Sequence, residues 1–171
     1  ACMLASWYYR GGIYGSPEKA AEALERAMNY QPHNPQPIAD YLTLCVGSQK
    51  KIGMRQCREK LAAYEASGAP MDEYIAYGKL LLVEADKGDV FGTALQFLKD
   101  YPNANAKSLL STLKRATGAI NAAKPEQIHE LYNAMTTVVL RQPSDEEHVQ
   151  LVAHILNEKK KLEALIPELK E

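Results

Sequence analysis

The sequence predicts an all-α protein, folded as a right-handed α-solenoid of about five antiparallel helix pairs. Apolar residues recur at helical spacing along most of the 171 residues, and short connections rich in proline and glycine separate these segments. Pro35 and Pro70 lie 35 residues apart, and each precedes an amphipathic segment. A period in the thirties, with one helix pair per period, is typical of α-solenoids.

The first well-marked helix begins at Ser16 and Pro17, an N-cap residue followed by proline at the first helical position. It ends before Pro32 and Pro35, because proline lacks the backbone N–H and disfavours helix in the preceding residue. The residues before Ser16 are expected to form an opening helix. The apolar face of the 17–31 segment carries Ala20, Ala23, Leu24, Ala27 and Met28.

Four helices are predicted in the middle of the chain, over residues 36–48, 53–67, 71–86 and 90–100. Turn signals separate them, such as the Ser-Gly-Ala-Pro run that ends at Pro70. The side chains expected to face inward are, helix by helix, Ile38, Tyr41, Leu42 and Cys45; Cys57, Leu61 and Tyr64; Tyr74, Tyr77, Leu81 and Ala85; and Ala94, Leu95 and Leu98.

Two longer helices are predicted over 106–122 and 125–141, and a capping box of Ser144 with Glu147 starts another. The tail KKKLEALIPELKE is expected to form a separate, more polar helix, which brings the total to about ten. The predicted inward faces are Leu109, Leu113, Ala116 and Ile120; Ile128, Leu131, Tyr132, Met135, Val138 and Val139; and Val149, Val152, Ile155 and Leu156.

The chain is expected to form one helical-repeat domain over residues 1–171. Its repeats would span about 1–35, 36–70, 71–105 and 106–143, with capping helices over 144–171.

The net charge is −1, which argues against a generally basic nucleic-acid binder. The chain starts at Ala1, and ACMLASWYY is apolar enough to end a processed leader or an anchor, so a membrane contact is expected only through a segment before Ala1.

The stretch EKAAEALERAMNYQPHNP (18–35) resembles the second helix of a tetratricopeptide repeat. That family has small residues where Ala20 and Ala27 stand, an apolar residue at Leu24 and a proline at Pro32. ALQFLKDYPNA (94–104) is similar to the same element. The resemblance implies a superhelix whose first helices line a concave groove, which binds an extended peptide or a helix of another polypeptide.

The same resemblance implies which residues line the groove in the first three repeats: Tyr9, Leu42, Val46, Ile75, Lys79 and Leu82. Most of them are apolar, which favours an apolar segment as the ligand. Tyr9 and Arg10 also belong to an aromatic and cationic cluster where a partner could dock. The alternative is that some of these residues pack against the chain's own helices.

A second resemblance competes with the first. YEASGAPMDEYIAYGKLL (64–81) resembles the junction between pentatricopeptide repeats, which have a 35-residue period and bind single-stranded RNA. The positions expected to read bases would carry Leu42 and Gly78, and neither offers a base-specific hydrogen bond. The leading hypothesis is therefore a non-enzymatic protein–protein interaction scaffold or assembly subunit, with single-stranded RNA binding as the alternative.

Catalytic and metal-binding patterns are weak in this sequence. The four histidines are scattered, and Glu126 with His129 forms a single ExxH, whereas a di-iron bundle needs two such motifs and two further glutamates. No glycine-rich phosphate loop is present. We therefore predict no catalytic residue, metal, cofactor or small-molecule substrate.

The chain has three cysteines, Cys2, Cys45 and Cys57. A disulfide scaffold usually has a larger and even number of them. Cys45 and Cys57 fall on facing positions of one predicted helix hairpin. Two interpretations stay open: small buried thiols that act as spacers, or a disulfide, which requires a suitable Cα separation and an oxidising compartment.

Overall fold

The structure is a computed structural model, and it describes residues 15–48, 52–120, 124–140 and 146–165. These residues are all-α: they form eight helices, are 80% helical and contain no strand, so the predicted fold class is confirmed at that level. The opening helix predicted before Ser16 lies outside the described residues. The helices are α1 (Pro17–Tyr30), α2 (Pro35–Gly47), α3 (Met54–Ala66), α4 (Glu73–Ala85), α5 (Val90–Asp100), α6 (Ala106–Ala119), α7 (Pro125–Val139) and α8 (Glu146–Leu165).

Most helix starts follow from local side-chain chemistry. The first turn of a helix has backbone N–H groups without a partner inside the helix, and a short polar side chain just before it can accept from them. Proline also occupies the first turn of α1, α2 and α7, where its missing N–H costs nothing. The capping side chains are Ser16, Asn34, Asp72, Asp89 and Asn105.

The chain divides into two compact units, unit 1 up to Asp86 and unit 2 from Lys87 onward. In unit 1, α2 is the central helix and packs against α1, α3 and α4. Gly78 allows the closest of these approaches, because a Cβ at this position would lie 2.9 Å from Leu42 Cδ1. The largest fully buried side chains of this unit are Leu24, Ile38, Tyr41, Leu42, Ile75 and Leu80.

In unit 2, α5 packs against α6 and α7, and α8 packs against the same two helices. The four helices therefore close around one apolar core. Its largest fully buried side chains are Leu98, Leu109, Leu113, Ile128, Leu131 and Leu151. The boundary between the units falls inside the third predicted helix pair, residues 71–105.

The prediction for the last helix was wrong in two ways. The segment containing Lys159 continues α8 to Leu165, since no proline or glycine lies between Glu146 and that residue. The buried stripe is also shifted by one position from the predicted one, so that Val149 and Leu156 are exposed. The buried side chains of α8 are Leu151, Ile155, Glu158 and Leu162.

The predicted inward face of α4 was right at Leu81, which is buried, and wrong at Tyr74. Tyr74 is 45% exposed, whereas Ile75 and Gly78 face the core. Leu80, Leu81 and Leu82 are all buried, so the apolar residues of this helix are not confined to one narrow stripe, and spacing alone gives several equivalent faces. For α2, α3 and α5 every predicted inward side chain is buried.

Candidate functional site

The residues predicted to line a binding groove occupy different environments. Leu42, Ile75 and Leu82 lie in the core of unit 1 with at most 4% of their surface exposed. Val46 is partly buried and packs against the same core. Lys79 is exposed, and its Nζ lies 2.9 Å from Glu65 Oε1. Tyr9 and Arg10 lie outside the described residues.

Four of these residues thus pack against the chain's own helices, which was the alternative stated for them. Leu42 is covered by α4 at Gly78, and Ile75 and Leu82 belong to α4 itself. Of the five predicted residues that the structure describes, a ligand could in this conformation reach Lys79 and the exposed part of Val46. The binding surface must be sought elsewhere among the described residues.

An apolar groove runs between α7 and α8 in unit 2 and encloses about 440 Å³ of space open to solvent. The side chains from α7 follow the spacing i, i+3, i+4 and i+7, so they form one continuous face of that helix. Met135 and Ile155 form the buried floor of the groove. The residues that line it are Tyr132, Met135, Thr136, Val139, Leu140, Ile155, Leu156 and Lys159.

The rim of this groove is apolar with one cation. Leu140 is 78% exposed and Leu156 is 49% exposed, which is unusual for two leucines on the same concave surface. The Lys159 ammonium lies 5.3 Å from the centre of the Tyr132 ring and 3.6 Å from Glu163 Oε1. A positive charge therefore stands beside the apolar lining.

The sequence contained a signal for this groove that was interpreted differently. The predicted inward stripe of α7 has six members, which is wider than one packing partner covers. In the structure its Ile128, Leu131 and Val138 side of the helix is buried in the core, while Tyr132 and Val139 are only partly buried and line the groove. Leu140, which follows the helix, was not singled out.

A polar cluster ties three helices of unit 1 together. The Tyr41 hydroxyl of α2 donates to Glu25 Oε1 of α1 at 3.3 Å, and Gln56 Nε2 of α3 donates to the same oxygen at 3.1 Å. Lys60 Nζ lies 3.4 Å from it. Because one carboxylate oxygen serves all three groups, we interpret the cluster as a structural tie.

Replacing Tyr41 with phenylalanine tests this tie. Burial, and then the charge of Glu25, raise the pKa of Tyr41 above its ordinary value. A raised pKa in the folded state gives stability that is complete below about pH 10 and is lost as the pH rises further. We expect Tyr41→Phe to cost about 1 kcal/mol at pH 7 and to reduce the loss of stability between neutral and alkaline pH. Urea unfolding at pH 7 and above pH 10 measures both.

The matched control is Tyr30→Phe, because Tyr30 is 80% exposed. That variant should keep the stability and the alkaline sensitivity of the parent protein. If Tyr41→Phe also kept both, the hydrogen bond to Glu25 would not contribute to folding.

Cys45 and Cys57 form a disulfide between α2 and α3, with their Cα atoms 6.4 Å apart. Both residues are fully buried. Of the two interpretations left open by the sequence, the structure contains the bonded pair. The predicted facing positions in one helix hairpin agree with the packing of α2 against α3.

Within the described ranges, no group of three or more histidine, cysteine, aspartate or glutamate residues is placed to hold a metal ion. Glu126 and His129 are both exposed on α7. In the same part of the chain no helix is both long and apolar enough to cross a bilayer.

Many basic side chains of the described residues are paired with carboxylates: Arg55–Glu59, Arg58–Asp86, Lys60–Glu25, Lys79–Glu65, Lys99–Glu130, Lys159–Glu163 and Lys161–Glu158.

The groove between α7 and α8 is therefore an exposed apolar surface that could bind another molecule. Its apolar lining and single rim cation suit a peptide better than a polar metabolite. Comparison with models of known protein families, with curated proteins and with solved structures finds no match for this chain.

Proposed function

We propose that this protein is a non-enzymatic protein–protein interaction scaffold or assembly subunit, and that it binds an apolar helix of a partner polypeptide in the groove between α7 and α8. The observation that carries the proposal is the exposure of Leu140 and Leu156 along an otherwise apolar groove. Burying two exposed leucines is worth about 1.5–3 kcal/mol each, which is enough to anchor a partner.

The shape and charge of the groove favour a helix as the occupant. Two adjacent helices leave a furrow between them, and an amphipathic helix fills such a furrow with residues at i, i+3, i+4 and i+7. Helix α8 carries Lys159, whose charge Glu163 partly offsets, and the exposed Lys160, so an acidic residue beside the apolar stripe of the partner would be weakly favoured.

The scaffold part of the proposal includes the α-solenoid of antiparallel helix pairs. Within each unit, the helices that pack against each other are neighbours or next neighbours along the chain. Stacked repeats have this local contact pattern. The pairing of many basic residues with carboxylates makes single-stranded RNA the less favoured ligand, since phosphate binding needs cations that are free to neutralise the backbone.

A display library of helical peptides tests the proposal. We expect peptides selected on the full chain to carry apolar residues at i, i+3, i+4 and i+7, and to bind with micromolar affinity by fluorescence anisotropy. Leu156→Asp places a charge on the groove rim and should weaken binding at least about 30-fold, since a central contact contributes about 2 kcal/mol or more.

Val149→Asp is the matched control, because Val149 lies on the same helix, is 63% exposed and does not line the groove. It should bind the selected peptides as the parent protein does. Equal weakening in both variants, or a library that yields no helical binder, would contradict the proposal. Binding of a random single-stranded RNA pool that weakens steeply with salt would replace it with the RNA alternative.

A further inference from the structure

Helix α3 buries few side chains in unit 1 for its length. It buries only Cys57, Leu61 and Tyr64 among its 13 residues, whereas α2 buries seven side chains over the same length. Its other attachments are mainly polar. The Tyr64 hydroxyl donates to the Pro70 carbonyl at 2.8 Å, Gln56 and Lys60 contact Glu25 of α1, and the half-exposed Arg58 pairs with Asp86. Exposed ion pairs contribute little to stability.

The start of α3 also lacks the usual stabilising features. Gly53 is the N-cap residue and provides no side-chain hydrogen bond, and no acidic residue lies in the first turn. Cys57 is the fourth residue of the helix, and its bond to Cys45 fixes this region to the end of α2. The covalent bond lies one turn beyond the position at which α1, α2, α4, α5 and α6 have a capping side chain.

We propose that the Cys45–Cys57 disulfide is a redox latch that holds α3 against α2. When a dithiol reductant supplies two electrons and two protons, the sulfur–sulfur bond breaks, Cys45 and Cys57 become thiols, and the reductant becomes its own disulfide. Helix α3 then opens as a local segment while α1, α2 and α4 stay folded. The latched form belongs to oxidising compartments, where disulfides persist.

Burial of the disulfide controls when a reductant can reach it. Both cysteines are buried in the closed state, so a reductant reaches the bond only during the transient openings of α3 that the crosslink still permits. Once the bond is reduced, opening is no longer opposed by a crosslink between the two helices. Reoxidation requires α3 to return to α2, because the two sulfurs must meet again.

Hydrogen–deuterium exchange of the full chain tests this latch. A Cys2→Ser background leaves Cys45 and Cys57 as the only cysteines. Intact mass must first show a loss of two hydrogens in the oxidised protein, and absence of the bond under oxidising conditions would overturn the proposal. On reduction with dithiothreitol, we expect peptides within residues 54–66 to exchange about 100-fold faster, which is the scale of a short-loop crosslink.

In the reduced protein, peptides from α2 and α4 should exchange at least about 10-fold more slowly than those from α3, because they open only when unit 1 unfolds as a whole. Peptides from α7 should not change on reduction. The Cys45→Ala/Cys57→Ala variant should match the reduced protein without any reductant. Unchanged protection of α3 in both would overturn the latch. Equal protection of α1 to α4 in the reduced protein would also overturn it, because α3 would then open only together with the rest of the unit.

Discussion

Replacing Cys45 and Cys57 together with alanine lowers the free energy of unfolding of unit 1 by about 3 kcal/mol. The two residues are 12 positions apart, and closing a loop of that order restricts the unfolded chain by about this amount. Both sulfurs are also fully buried, so the alanines leave small cavities that add to the loss. Urea unfolding under non-reducing conditions measures the change.

The role of the bond itself is isolated by repeating the unfolding with dithiothreitol. The reductant should destabilise the parent protein by a similar amount and leave the double alanine variant unaffected. Unit 2 contains no cysteine, so a probe in α7 should report the same stability in all samples. Stability within about 0.5 kcal/mol of the parent for the double variant would show that the bond forms without constraining the fold.

Helix boundaries were predictable because their signals are local. Ser16 with Pro17, and Asp89 before Val90, each place a hydrogen-bond acceptor or a fixed backbone angle within a few residues of the helix start. These interactions depend on neighbours in sequence, so they need no knowledge of the tertiary structure. The same holds for the inward faces of α3 and α5, which each carry a single apolar stripe. Helix α2 is buried on most sides, so its predicted inward residues were buried without depending on one face.

The inward faces of α4 and α8 depend on which helices surround them, and that information is not local. Glu158 is only 5% exposed, and its carboxylate pairs with Lys161 Nζ at 2.6 Å on the same helix. A charged residue at a core position breaks the apolar pattern and moved the predicted stripe to Val149 and Leu156. The leucine that the pattern placed inside is therefore the one on the groove rim.

The prediction that Leu42 lines a binding groove did not take α4 into account. The reason is similar, because the position of α4 is not local information. Glycine at position 78 gives no apolar signal, yet it is what allows α4 to cover Leu42. Leu42, which the apolar pattern singled out, is therefore buried by α4 at Gly78, which the pattern did not mark. The state of the cysteine pair was likewise beyond the sequence, because spacing allows a bond without requiring one.

Leu42→Ala provides the second large effect, an expected loss of about 2–5 kcal/mol in unfolding free energy. The side chain is fully buried, and the α4 backbone at Gly78 is too close for the site to collapse freely. Gly78→Ala should also destabilise, since its Cβ would lie 2.9 Å from Leu42 Cδ1 and 3.0 Å from Leu42 Cβ. Overpacking costs about 1–3 kcal/mol and outweighs the gain of about 1 kcal/mol in helix propensity.

The two substitutions together should cost less than the sum of the separate losses, by at least about 1 kcal/mol. In the double variant the new methyl group at position 78 no longer meets Cδ1 or Cγ of position 42, although the contact with Cβ at 3.0 Å remains, so the two changes partly relieve each other. Gly118→Ala is the matched control, because that helical glycine has no neighbouring atom within 4 Å. It should stabilise the protein by up to about 1 kcal/mol and should add independently to Leu42→Ala. Urea unfolding of the three single and two double variants, beside the parent protein, completes both cycles. If Leu42 faced a ligand instead, Leu42→Ala would leave the unfolding free energy unchanged and would show no coupling to Gly78→Ala. That result would assign Leu42 to the binding surface again.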